Sequence, residues 1–201
     1  MAVAFALFDT LVEAKFPKHP AEAIAAELEN RDVAVPDDWQ DAYHETHIDP
    51  PEGAEVPLPA HVSRALASRG VTAPGNAPRR AVVSAFDPEV ETREGAVEAV
   101  EAASERGPVA VLSNCRVPEL ARRALIRSEV DRDAFDAVVT SAACGWRVPH
   151  PKAFENCAEQ LGVAPDELRY ANCDGERPEA IADAFTDDSL AEVPAWLAAR
   201  D

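Results

Sequence analysis

Four short segments of this chain place reactive side chains after strand-like runs. Asp9 and Thr10 follow residues 2–8, and Ser113 and Asn114 follow 109–112. Cys144, Arg147, His150 and Lys152 follow 137–140, while Cys173 and Asp174 follow 168–172, with Glu179 five residues beyond Asp174. Thiols at Cys115, Cys144 and Cys173, with His150, form a soft donor set that suits Zn²⁺ if they converge. Three separate buried thiols is the reading the sequence favours, because cysteine serves readily as a small core residue. Cys173 as a thiolate nucleophile would need a base, and no histidine stands beside it in sequence. Trp39, Tyr43, His44 and His47 fall on one helical stretch. Trp39 is a candidate for a substrate pocket, although aromatics four apart on a helix ordinarily pack in a core.

The elements that must position these groups alternate. Residues 2–8, 109–112 and 137–140 are short and largely apolar, the pattern of buried parallel strands, and Tyr170-Ala171-Asn172 closes a further strand. Helical stretches are predicted at 94–106, 118–128 and 151–161, with Pro118 opening the second and Gly162 closing the third. Strands alternating with helices at this spacing give a Rossmann-like, doubly wound α/β sheet. Ligands in such sheets bind beyond the carboxyl ends of the strands, where all four segments fall. Residues 15–88 read as helical throughout, with helices at 20–31, 37–46, 60–69 and 77–86 around a Pro- and acid-rich loop at 48–59. The expected division is therefore a core of 1–14 plus 89–201 with an all-helical cap subdomain at 15–88. After Glu179 there is room for little more than one short helix around Trp196.

Charge narrows the partners. The 201 residues hold 37 acidic side chains against 19 basic, a net charge of −18, and only three of the basic residues are lysines. A nucleic-acid surface needs a basic footprint that this composition lacks. The acids are spread over every segment, as in proteins of extreme halophiles, where carboxylates maintain solubility in high salt. No apolar run has the length of a membrane span. The N-terminal run lacks a basic flank and reads as a strand rather than a leader, so a soluble cytoplasmic protein without a membrane partner is expected. The four cysteines form no C-x-x-C pair and are expected as free thiols.

Taken in order, the segments resemble the motifs of the haloacid dehalogenase (HAD) superfamily, in the dehalogenase-like and small phosphatase branches with a helical cap. Phe5-Ala6-Leu7-Phe8-Asp9-Thr10-Leu11-Val12 is similar to the first motif and Val111-Leu112-Ser113-Asn114 to the second. Gly145 to Phe154 resembles the third, and Tyr170-Ala171-Asn172-Cys173-Asp174 the fourth. The resemblance implies a carboxylate nucleophile after the first strand, a hydroxyl after the second, a charge-neutralising lysine, and acids after the fourth strand that hold Mg²⁺ in phosphatases. Ala6 stands at the nucleophile position, Asp9 at a usual glycine, and Val148 at the lysine. Aligned without a gap, the fourth motif puts Cys173 at the metal carboxylate. A shift of one residue instead offers Asp174, with Glu179 as the second acid. The ungapped register is preferred, since Asn172 can take a glycine's backbone conformation.

Loss of the nucleophile alone costs about 10⁴–10⁶ in rate. The expectation is thus a non-catalytic homologue, a pseudoenzyme that binds a small molecule or anion through Ser113 and Asn114, with Thr10, Arg147 and Trp39 lining the pocket. The alternative is an active hydrolase that uses Asp9 or Asp174 unconventionally. The sequence sets no oligomeric state.

Overall fold

Residues 1–174, 177–181 and 183–199 are described by the computed structural model. Five parallel strands form the main sheet, ordered β5-β4-β1-β6-β7: β1 Ala2–Phe5, β4 Val109–Ser113, β5 Ala137–Thr140, β6 Leu168–Ala171 and β7 Ala184–Phe185. Strand β1 is central and completely buried, which explains why residues 2–5 carry no polar side chain. Helices α5 Ala96–Ser104, α6 Leu120–Arg127, α7 Ser141–Cys144, α8 Pro151–Leu161 and α9 Val193–Ala198 follow or connect these strands. Two apolar clusters lie on the sheet's two faces. One includes Val3, Phe5, Val111 and Val100, the other Ala2, Ala4, Leu112 and Phe154. Alternate residues of β1 thus serve opposite faces, as a strand's period of two requires. This is the doubly wound α/β sheet expected.

Helix α8 forms where its signals predict. Proline stands at its first position, and Gly162 at φ 68° ends it in the left-handed conformation that glycine adopts without strain.

Between β2 (Val12–Lys15) and β3 (Glu89–Thr92) lie α1 Pro20–Glu29, α2 Trp39–His44, α3 Leu58–Ser68 and α4 Ala77–Ala85. Strands β2 and β3 pair antiparallel as a two-stranded ribbon at the base of the helical insertion, which the sequence reading does not anticipate. The four helices share a third apolar cluster, built around Ile24, Leu28, Val62, Leu66 and Val82 and closed by Cys115, Val117 and Leu120 from beyond β4. No helix among the described residues is long and apolar enough to cross a membrane.

The insertion is fastened to the sheet by residues 53–58. Ala54 and Trp146 form an antiparallel bridge, Glu55 N donates to Gly145 O (2.8 Å), and Arg147 N donates to Gly53 O (2.9 Å). Leu58 N donates to Arg116 O at 2.9 Å, and the Arg116 Nε returns a bond to Val56 O at 3.1 Å. At the centre the Glu55 carboxylate is buried. It accepts from Ser141 Oγ (2.7 Å) and lies 3.3 Å from Arg116 Nε.

Candidate active-site cavity

The carboxyl ends of β1, β4 and β6 open into a cavity of about 730 Å³. Ala6, Phe8 and Asp9 line it from the turn after β1, Ser113 and Asn114 from the end of β4. Val148, Pro149 and Pro151 form another wall, and Tyr170, Asn172, Asp174, Arg177 and Glu179 come from β6 and the chain beyond it. It occupies the place that a doubly wound sheet offers a ligand.

Each side arises from local structure. Past β1 the chain turns sharply, with the amides of Leu11 and Val12 both donating to Leu7 O. Asp9 takes a left-handed φ of 59° in this turn, a conformation that aspartate tolerates better than most residues. Its carbonyl accepts from the Arg93 guanidinium, which also donates to Asp188 O at 3.1 Å. Arg93 therefore ties the Asp9 turn to the chain after β7, a role that its position one residue beyond β3 does not reveal in sequence. Ser113 is only 5% exposed, lines the cavity, and has no hydrogen bond to its hydroxyl among the described residues. Asn114 clasps the opposite wall: its side-chain oxygen accepts from Val148 N (2.8 Å) and its nitrogen donates to Val148 O (2.9 Å). That amide holds two walls together, a structural task beside the ligand-holding one expected of it.

At the β6 end it is Asp174, and not Cys173, that reaches the cavity. Tyr170, Asn172 and Asp174 line the cavity, whereas Ala171 and Cys173 join the apolar cluster on the other face. Beyond β6 the chain bends at residues 173–174, with Asp174 in the cavity lining and Cys173 outside it. Cys173 is buried, and its amide donates to Thr10 Oγ1 at 3.1 Å. Thr10 is accordingly a buried tie between the β1 and β6 ends and does not line the cavity. Trp39 is likewise corrected: it is 4% exposed in the core of the helical insertion, with Nε1 donating to Ala21 O at 2.8 Å. Arg147 is exposed and outside the lining, since its backbone belongs to the bridge with residue 53. Lys152 does not supply the missing charge, because its ammonium sits 4.1 Å over the Trp146 ring.

Cys115, Cys144 and Cys173 belong to three different apolar clusters, so they cannot share an ion with His150. Asp9, Asp174 and Glu179 all line the cavity, yet no three His, Cys, Asp or Glu among the described residues converge well enough to hold a metal. This donor set does not fit Mg²⁺, which demands a compact octahedron of oxygens. His44, His47 and His61 lie elsewhere, each with a ring nitrogen on a backbone carbonyl, those of Gln40, Ala42 and Tyr43.

Burial keeps the Tyr170 phenol of the cavity wall, and thiols elsewhere in the core, neutral. Burial, with the charge of Asp174 adding to it, holds the Tyr170 phenol well above its ordinary range. Burial also raises the thiols of Cys115 and Cys173, with Arg93 opposing part of the rise at Cys173, and pushes Cys157 up to about 12. These thiols stay neutral at pH 7 and are shielded, so a disulfide reagent should label partly exposed Cys144 first and the other three only on unfolding. The sign of the pH dependence follows. Protonated Cys157 stabilises the fold fully below its unfolded value near 9, and this is lost as pH rises towards about 12. Denaturation midpoints should therefore fall above pH 9, with a shallower fall in Cys157→Ala.

Comparison with known proteins agrees with this architecture. A family model described as haloacid dehalogenase-like hydrolase matches residues 1–168. No curated protein matches the chain in sequence. Among solved structures, the phosphate complex of CbbY from Rhodobacter sphaeroides is similar with a TM-score of 0.58 at 15% identity, over 96% of this chain and 95% of that one. The defluorinating L-2-haloacid dehalogenase Rha0230 gives 0.55 at 20% identity, over 98% and 94%. The L-2-haloacid dehalogenase from Xanthobacter autotrophicus, with chloropropionic acid covalently bound, gives 0.52 at 16% identity, over 100% and 99%. These likenesses concern the fold. With the family model spanning most of its length, the chain belongs to the haloacid dehalogenase-like hydrolases.

Proposed function

We propose that this chain is a non-catalytic member of its family, a small-molecule-binding or regulatory module whose ligand site is the cavity at the strand ends. Residues 15–88 act in this reading as a helical cap on a core of 1–14 and 89–201. The observation that carries it is Ala6. It is the first residue after β1, its amide is fixed on Ala171 O at 2.9 Å, and its methyl lines the cavity where a nucleophilic carboxylate would stand. Val148, at the family's lysine position, also lines it and brings no charge. A methyl group cannot form the covalent intermediate on which aspartyl catalysis depends.

One observation favours the second reading, an unconventional hydrolase: Asp9 lines the same cavity. It lies three residues beyond Ala6, in a left-handed turn whose carbonyl is held by Arg93. Turnover of a phosphomonoester with Mg²⁺, and halide release from a 2-haloacid, should remain at the uncatalysed rate for both wild type and Asp9→Asn. Wild-type turnover abolished by Asp9→Asn would establish the hydrolase instead.

A further inference from the structure

The charge of the cavity points to a ligand class opposite to an anion. Its described lining carries three carboxylates, Asp9, Asp174 and Glu179, against one guanidinium, Arg177, with Asp174 and Arg177 each already making a contact. The position that resembles the family's lysine is Val148. Asn114, the other expected anion holder, is committed to the Val148 backbone. An entering phosphate or carboxylate would therefore meet net repulsion at close range.

Two further observations say what would be accepted. Ser113 is 95% buried, lines the floor, and keeps a hydroxyl without a hydrogen-bond partner among the described residues, so it can accept a bond from a ligand donor. The carboxylates do not converge as metal ligands but are spread around a cavity large enough for an organic molecule. Phe8, Val148, Pro149 and Tyr170 add apolar and aromatic wall, which suits a hydrocarbon body and, at the rings, a cation.

We propose, building on the binding-module reading, that the cavity takes a small organic cation, a primary or quaternary amine on an apolar body, held by the negative field of the Asp9, Asp174 and Glu179 carboxylates spread around the wall.

The test uses matched probes on the full chain, with backbone amide shifts followed by NMR. Benzylammonium chloride should shift the Ser113, Asn114 and Asn172 amides saturably and more tightly than benzyl alcohol, while benzoate and phenyl phosphate should leave them unmoved. Asp9→Asn, Asp174→Asn and Glu179→Gln should each weaken benzylammonium by about two- to five-fold, the scale of one exposed charge pair. Glu101→Gln, exposed on α5 and outside the cavity lining, should change nothing. Tighter benzoate or phenyl phosphate binding, no shift of the cavity amides with the amine, or equal weakening by Glu101→Gln would each overturn the proposal. Phosphomonoester or haloacid turnover by the same sample would overturn the non-catalytic reading instead, so the two failures are distinguishable.

Discussion

Glu55→Ala should lower unfolding free energy by about 2–4 kcal/mol, the cost of stripping a buried carboxylate from its hydrogen-bonded partners. The Glu55 side chain is 2% exposed in a chain whose other acids are mostly at the surface. Its Oε2 accepts from Ser141 Oγ, and that hydroxyl oxygen accepts from the Cys115 amide at 2.9 Å. Without Glu55, Ser141 loses a fixed acceptor and the turn carrying Asn114 and Cys115 loses its orienting contact. Arg116 contributes less, because it is 43% exposed and water screens its charge. Glu55→Gln separates the two effects: it can still accept from Ser141 but drops the ion pair, and should cost about 1 kcal/mol or less. Urea denaturation measures both. Faster hydrogen exchange at the Cys115 amide should accompany the alanine variant, since the loss begins at that seam.

Gly53→Ala should destabilise the same seam by about 2–3 kcal/mol, combining left-handed backbone strain with displacement of a packed ring. Gly53 has φ 76°, and an added Cβ would lie 2.5 Å from His150 Cδ2 and 3.1 Å from its Cβ. His150 cannot swing aside cheaply, because its ring stacks on Trp146 with centroids 4.3 Å apart and its Nδ1 accepts from Lys152 N at the start of α8. A double-mutant cycle with His150→Ala should recover the steric part and leave the backbone part. Strict additivity of the two substitutions would show that the ring contact carries no energy.

These two residues also show where sequence reading stops. The strand β5 and the helix α8 were legible because their signals are local: a β-branched run for one, a closing glycine for the other. Strands β2 and β3 were not. Val12-Glu13-Ala14-Lys15 and Glu89-Val90-Glu91-Thr92 are short and charged, and they become strands only by pairing across the whole helical insertion. Glu55 lies in a Pro- and acid-rich loop where a carboxylate reads as solvated. Its burial depends on Ser141, 86 residues away. Within the site, Ala6, Asp9, Ser113 and Val148 were legible from the motif order and do line one cavity. Counting alternate residues from Tyr170 puts Asn172 and Asp174 on its face, and both line the cavity while Cys173 does not. Trp39 misled because a large aromatic near the cap suggests a pocket, while its indole is satisfied inside the helical core.

Peptide mass spectrometry after incubation with a 2-haloacid shows whether any carboxylate in this cavity acts as a nucleophile. A nucleophilic carboxylate would displace the halide and retain the acid as an ester on its own peptide. Wild-type protein should show no adduct on any peptide containing Asp9 or Asp174, whereas Ala6→Asp combined with Val148→Lys should acquire one at position 6. An ester on Asp9 of the wild-type chain, formed on the timescale of halide release, would contradict the account.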